Sequence, residues 1–99
     1  MNAAGAARLN DDGFKLMSAG RYNEAIPLLQ RAVSAFPPQS TDLTYAYALY
    51  NLGRSLRLAG RPDQAIPLLE RRLQIDNQRK TVARELTSAR RSGSHPGGG

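Results

Sequence analysis

Apolar residues recur at three-and-four spacing along residues 43–59, which is the spacing of one face of a helix. The members of this face are Leu43, Ala46, Leu49, Leu52, Leu56 and Ala59. Ser40, Thr41 or Asp42 is available as the N-cap of such a helix. Gly60 follows the last apolar position, where a glycine can adopt the left-handed conformation that ends a helix. The pattern therefore predicts one helix over about residues 43–59.

A second apolar face follows at once and predicts the other half of a helical hairpin. Pro62 suits the first turn of this helix, where its missing N–H is not needed. The apolar positions are Ala65, Ile66, Leu69 and Leu73. An upstream hairpin follows the same scheme, with its turn at Gly20 and its end at Pro37 and Pro38. Its apolar face consists of Leu9, Gly13, Leu16 and Ala19, then Ala25, Ile26, Leu29, Ala32, Val33 and Phe36.

Identical residues at an offset of forty indicate that the two hairpins are repeats of one unit. The identical pairs include Leu9/Leu49, Gly13/Gly53, Leu16/Leu56, Gly20/Gly60, Ala25/Ala65, Ile26/Ile66, Pro27/Pro67 and Leu29/Leu69. Pro27 and Pro67 stand inside helices, where a proline costs about 3 kcal/mol and frees a carbonyl four residues earlier. On an exposed face, water can satisfy that carbonyl and so reduce the cost.

A fifth helix is predicted over about residues 80–91. Its narrow apolar stripe consists of Val82, Leu86 and Ala89. Because a helical hairpin cannot bury its own apolar face, each repeat leans on the next one. The last hairpin would expose Leu69 and Leu73 without a further helix, and so we expect residues 80–91 to cap the stack.

The net charge of +6 lies almost entirely in the last third of the chain. Residues 1–53 carry four basic and four acidic side chains, whereas residues 71–91 carry seven basic and two acidic ones. Two interpretations stay open, a solubilising surface and a contact with an acidic partner. The sequence contains neither an apolar run of about 18 residues nor the apolar stretch of a signal peptide. We therefore expect a cytoplasmic location and no membrane contact.

Candidate catalytic or metal-binding chemistry is sparse. There are no cysteines, and His95, the one histidine, lies in a glycine-rich tail without a partner. Asp11 and Asp12 point about 100° apart on a helix, which does not suit shared acid–base work, and we expect Asp12 to help start the first helix. Phosphate-binding loops, nucleophile elbows and dinucleotide fingerprints are also missing. The sequence predicts no enzyme, no cofactor and no metal.

The combined motif resembles the tetratricopeptide repeat over roughly residues 6–91. Unit two supplies the family pattern at Leu49, Leu52, Gly53, Leu56, Gly60, Ala65 and Leu69, and unit one at Leu9, Gly13, Leu16, Gly20, Ala25, Leu29, Ala32 and Pro37. Three residues depart from it: Asp12 replaces a leucine, Arg72 replaces the small residue found at Ala32, and Asn77 replaces a proline. The period of forty is also longer than the family's 34 residues.

The resemblance implies an all-α fold, a right-handed superhelical stack of two helix-turn-helix units and a capping helix. The implied divisions are an N-terminal flank (1–5), unit one (6–39), unit two (40–77), the cap (78–91) and a disordered tail (92–99). The resemblance also implies that the second helix of each unit lies on the outer side, so that Pro27 and Pro67 are expected on an outer face. Gly53 is then expected where the two helices of one hairpin cross closely.

The resemblance also implies a concave groove lined by the first helix of each unit. The implied groove residues are Asn10, Asp11, Phe14 and Met17 in unit one, Tyr47, Tyr50, Asn51, Arg54 and Arg57 in unit two, and Thr81, Arg84, Glu85 and Ser88 in the cap. Tyrosine and arginine suit a peptide-binding surface, although the tyrosines would also suit packing between hairpins. A subgroup of the family clamps a partner's C-terminal carboxylate with five side chains, of which only Asn51 is matched here. No such clamp is predicted.

The function implied is a protein-interaction scaffold that holds a peptide or protein segment in this groove. The partner is unidentified, an acidic segment would suit the arginines of the groove, and five helices also suit a homodimer. The alternative is binding of RNA or another polyanion through the basic last third, which is less favoured because those residues spread around two helices. Residues 44–79 are also similar to repeat segments that follow the catalytic domain of some bacterial serine/threonine kinases. That similarity implies an accessory role, since the chain has no kinase motif.

Overall fold

Five α-helices account for most of residues 2–93, which are the residues that the computed structural model describes. They are α1 (Ala3–Ser18), α2 (Tyr22–Ser34), α3 (Leu43–Leu58), α4 (Pro62–Leu73) and α5 (Arg79–Gly93). No β-strand occurs within this range, and the predicted all-α class is confirmed. None of the helices between residues 2 and 93 has the length and hydropathy that a membrane span requires.

Both hairpins turn at the predicted glycines. Gly20 has φ 78° and Gly60 has φ 82°, a left-handed conformation that glycine adopts without a steric penalty. In each turn the N–H of the following arginine returns to a carbonyl of the first helix, at 2.9 Å in the first hairpin and 2.7 Å in the second. Pro62 begins α4, and the Asp42 side chain caps α3 by accepting a hydrogen bond from the N–H of Thr44 at 2.8 Å.

The helices form two layers. Each helix packs against the next one in the chain, and α1 also contacts α3, which in turn contacts α5. Among these five helices, α2 and α4 have no Cα atoms within 8 Å of each other. The layer of α1, α3 and α5 therefore forms one continuous surface, as the repeat predicts for a concave face. The right-handed superhelical sense of the stack stays a prediction.

The two helices of each hairpin cross at a glycine. A Cβ on Gly13 would lie 2.6 Å from Cγ of Leu29, and a Cβ on Gly53 would lie 2.7 Å from Cγ of Leu69. Both leucines are fully buried, so neither side chain can move aside without disturbing the core. The close crossing expected at Gly53 is confirmed.

The substitution Gly53→Leu is expected to destabilise the chain by about 1–3 kcal/mol, because the new side chain overpacks the crossing with α4. Chemical denaturation followed by circular dichroism measures the change. Asp12→Leu is a suitable control, since Asp12 lies at an exposed position in the middle of α1 and the same side chain there meets no crossing helix. Equal stabilities of the Gly53→Leu protein and the unsubstituted chain would contradict the packing at this crossing.

The last helix covers the end of the second hairpin. Val82, Leu86 and Ala89 are all buried, and Leu86 lies in the same core cluster as Leu69. The apolar stripe predicted for this helix is therefore the face that packs inward.

The two interior prolines lie where they were expected. Pro27 is exposed on α2 and Pro67 is exposed on α4. Asn23 and Asp63, which carry the carbonyls that these prolines free, are exposed as well. Water can therefore satisfy both carbonyls, which reduces the cost of the missing hydrogen bonds.

The start of the first helix differs from the prediction. The helix begins at Ala3, within the segment expected to be a flank (1–5), because the Asn2 side chain caps it by accepting from the N–H of Gly5 at 2.8 Å. Asp12 lies in the middle of α1. The prediction that Asp12 helps the helix to start is therefore wrong.

Two further differences concern the helix ends. Leu43 was expected on the apolar face of α3 but is 50% exposed, because the inward face of this helix begins with the buried residues Tyr45 and Ala46. The last helix extends through Gly93, beyond the predicted boundary at residue 91. Residues 94–99, and with them the prediction about His95, lie outside the described residues.

Candidate functional site

A cavity of about 300 Å³ opens on the surface formed by α1, α3 and α5. The predicted groove residues that line it are Asn10, Asp11, Phe14, Tyr47, Tyr50, Asn51 and Thr81. Val82 of α5 and Arg72 of α4 complete the lining together with Gln78. Its volume lies at the lower end of the range for small ligands and single side chains of a partner. The structure thus brings the residues predicted on α1 and α3 together in one place.

A buried amide pair forms the polar base of this cavity. Nδ2 of Asn51 donates a hydrogen bond to Oδ1 of Asn10 at 3.0 Å, and both residues are buried. This bond joins α3 to α1 and fixes the orientation of both amides. Each amide has further donor or acceptor positions, which a polar ligand can use without breaking the pair.

The aromatic side chains of the cavity are unevenly buried. Phe14 is 49% exposed and Tyr47 is 41% exposed, although both are large and mainly apolar. Tyr50 is partly buried and packs against the core cluster. For this tyrosine, packing between hairpins, the other role that the sequence left open, therefore holds in part. Phe14 and Tyr47 therefore supply most of the accessible aromatic surface, which is the kind that contributes strongly to binding a partner.

A second, basic section of about 190 Å³ adjoins the cavity, and Tyr50 and Thr81 line both. Its other lining residues are Arg54, Arg57, Arg84, Glu85 and Ser88. We call the cavity and this basic section together the groove. Arg84 is exposed and donates a long hydrogen bond to Oγ1 of Thr81, at 3.4 Å.

The arginines of α3 neutralise a buried carboxylate of α5. The Glu85 side chain is only 3% exposed, and it accepts hydrogen bonds from Nη1 of Arg54 at 2.8 Å and from Nε and Nη2 of Arg57. The hydrogen bond with Glu85 raises the pKa of Arg57 above its ordinary value. Three charges thus lie close together between α3 and α5, and they bind these helices to each other.

These contacts correct part of the predicted site. Arg54 and Arg57 were expected to line the groove and to be available for a partner, but the Arg57 side chain is only 21% exposed and is paired with Glu85. Glu85 lines the groove as expected, but its side chain is buried and paired with the two arginines. Arg54 keeps 40% of its side chain exposed and still reaches the surface.

Met17 is the second correction. It was expected in the groove but is 7% exposed and belongs to the core cluster with Ile26 and Leu29. Met17 lies three positions after Phe14, which is a net rotation of about 60° around the helix, and at this angle its side chain joins the core cluster instead of the groove.

Sequence reasoning missed the contribution of Arg72 to the cavity. This residue is 1% exposed, and its Nη atoms donate to the carbonyls of Ile75 at 3.2 Å and Asn77 at 2.8 Å, as well as to Oδ1 of Asn77 at 3.0 Å. Its Nε has no partner, and burial lowers the pKa of the guanidinium. The available signal was the replacement of the fully buried Ala32 of unit one by an arginine in unit two.

Comparisons with known proteins agree with the repeat. A family model described as Tetratricopeptide repeat matches residues 13–78, from α1 to the turn after α4. Neither the curated proteins nor the solved structures include a significant match to the chain. Domains of this family generally mediate protein–protein interactions and are typically non-enzymatic scaffolds. Because the matched segment covers two thirds of the chain and includes both glycine crossings, the chain belongs to the tetratricopeptide-repeat family.

Proposed function

We propose that the chain binds an extended segment of a partner protein in the groove. The observation that carries this proposal is the exposed aromatic pair of Phe14 and Tyr47 beside the fixed amides of Asn10 and Asn51. Aromatic side chains offer a large contact area at a low entropic cost, and fixed amides offer oriented hydrogen bonds. The combination suits a polypeptide, which presents side chains and backbone amides together.

The basic residues support the polyanion alternative less well than their number suggests. Arg72 is buried, and Arg90 pairs with Glu70 at 2.9 Å. Arg54 and Arg57 share their charge with Glu85. These arginines therefore do not add to a continuous exposed basic surface of the kind that follows a phosphate backbone, which favours a protein over RNA as the partner. Dimerisation and an accessory role beside a kinase domain stay predictions.

The test is a selection of displayed random peptides on the 99-residue chain, followed by affinity measurements on the enriched sequences. We expect the double substitution Phe14→Ser with Tyr47→Ser to weaken binding of the selected peptides by about tenfold to a hundredfold. Folding should change little, because both side chains are already about half exposed.

The matched control is Leu43→Ser, since Leu43 is equally exposed but does not line the groove. This variant should bind the selected peptides as the unsubstituted chain does. Equal binding by the groove variant, or equal loss with the control, would place the partner on another surface. Titration with random single-stranded RNA at the same salt concentration tests the alternative.

A further inference from the structure

Arg72 is a buried arginine without a carboxylate partner. It makes no ion pair with the acidic residues between positions 2 and 93, although nearly all of its surface is removed from water. A buried charge of this kind is costly unless an opposite charge and full hydrogen bonding compensate it. Its only acceptors here are neutral oxygens of Ile75 and Asn77.

The capping of the α4 end explains part of this arrangement. The two Nη atoms satisfy carbonyls after the last turn of α4, which is a structural role. That role leaves Nε without an acceptor and the positive charge without a counterion. At an exposed arginine, water would accept the free N–H and screen the charge. Arg72 is instead buried in the wall of the cavity.

The surroundings of Arg72 suit a carboxylate that enters from the groove. The cavity places this guanidinium together with the amides of Asn51 and Gln78 and the hydroxyl of Thr81, all of which can donate hydrogen bonds. Asp11 is the one carboxylate among the described lining residues, and it is exposed and makes no ion pair with Arg72. No carboxylate of the described residues therefore neutralises the positive charge of Arg72 in the cavity wall.

The groove also indicates where in the partner this carboxylate lies. The cavity continues past Tyr50 and Thr81 into the basic section with Arg54 and Arg84. A segment that reaches Arg72 can therefore extend onward along the surface, and a second acidic residue would meet the exposed part of Arg54. This continuity favours an acidic side chain within a segment over a chain end.

We propose that Arg72 forms a carboxylate subsite in the groove, which receives an aspartate or glutamate side chain of an extended partner segment. The neighbouring partner residue is aromatic or large and aliphatic, and it packs on Phe14 and Tyr47. The inference rests on the proposed function, because it names the kind of segment that the groove accepts. A charge-assisted hydrogen bond to a desolvated guanidinium is stronger than a neutral one, and so the subsite selects glutamate over glutamine.

The experiment follows the Nε–H resonance of Arg72 in the 99-residue chain by NMR during titration with blocked dipeptides. The probes are N-acetyl-Phe-Glu-amide, N-acetyl-Glu-Phe-amide and the same two dipeptides with glutamine in place of glutamate. N-acetyl-phenylalanine, with its free α-carboxylate, represents a chain end. We expect the better glutamate probe to move the Arg72 Nε–H signal and to bind about tenfold more tightly than its glutamine counterpart.

Different outcomes separate this inference from the proposed function. Equal affinity of the glutamate and glutamine probes, or shifts confined to Phe14 and Tyr47, would overturn the subsite and leave groove binding intact. Failure of all five probes to bind also counts against the subsite, while the peptide selection decides the groove independently. Tighter binding by N-acetyl-phenylalanine than by the glutamate probes would overturn the proposal, because it would show that the site prefers the carboxylate of a chain end to an acidic side chain.

A substitution that avoids the core gives a second test. Asp11→Asn removes the carboxylate that lines the cavity, at an exposed position without an ion pair. This variant should bind the glutamate probe about twofold to threefold more tightly and the glutamine probe unchanged, because a like charge has been removed nearby. An unchanged ratio of the two affinities would show that the glutamate does not enter this cavity.

Discussion

Removal of residues 78–99 is expected to abolish the cooperative unfolding transition of the remaining chain. The last helix buries Val82 and Leu86 almost completely, and each such side chain contributes about 1.5–3 kcal/mol. Its loss also exposes Leu56 and Leu69, which belong to the same core cluster as Leu86. The whole domain is expected to be stable by only about 5–15 kcal/mol, so this loss takes a large share of the total.

Thermal melting by circular dichroism and size-exclusion chromatography measure the outcome of this truncation. A broad, non-cooperative transition and aggregation through the exposed apolar face are expected. A matched pair of substitutions separates packing from length: Leu86→Asp should reproduce the defect, and Ala83→Asp on the exposed side of α5 should not. A soluble, monomeric and equally stable truncated protein would show that α5 is not a cap.

The helical periodicity predicted most of the fold because the same apolar pattern occurs in both repeat units. Gly20 and Gly60 end equivalent helices, and Gly13 and Gly53 mark equivalent crossings, so each assignment supported the other. The start of α1 carried no such signal. Its first turn consists of alanine and glycine, whose small side chains give no apolar periodicity, and its cap depends on Asn2 alone.

The cavity could be predicted where it depends only on which side of a single helix a residue occupies. Phe14 and Tyr47 lie on the expected sides of α1 and α3, because side-chain direction follows from position along a helix. Met17 shows the limit of this reasoning, since it lies only about 60° around α1 from Phe14 and is nevertheless buried in the core. Contacts that depend on how two helices are placed against each other could not be predicted from either helix alone.

The pairing of Glu85 with the α3 arginines is such a contact. Glu85 and Arg57 are 28 residues apart, and only the placement of α5 against α3 brings them together. The same applies to Arg72, whose long side chain extends from α4 to the base of a cavity formed mainly by α1, α3 and α5. A departure from the repeat, such as arginine for Ala32, marks a position of interest without indicating what the new side chain contacts.

Arg57→Glu is expected to destabilise the chain by about 3–5 kcal/mol, because it removes a partner from a buried carboxylate and adds a second carboxylate beside it. The Glu85 side chain is 3% exposed, so water cannot replace the lost hydrogen bonds. Arg54 retains one of the contacts, but it cannot neutralise two carboxylates. Any loss of partner binding by this variant would therefore reflect damage to the fold, unlike a loss caused by Phe14→Ser with Tyr47→Ser.

Chemical denaturation of Arg57→Glu, with Arg31→Glu as the control, measures this effect. Arg31 is exposed on α2 and forms no ion pair with the residues between 2 and 93, so its substitution should change the free energy of unfolding by no more than about 0.5 kcal/mol. Arg57→Lys keeps the charge but loses the paired N–H groups, and it should fall between the two. If Arg57→Glu and Arg31→Glu unfold at the same denaturant concentration, Glu85 is not buried against Arg57 in solution, and α5 does not pack on α3 through this pair.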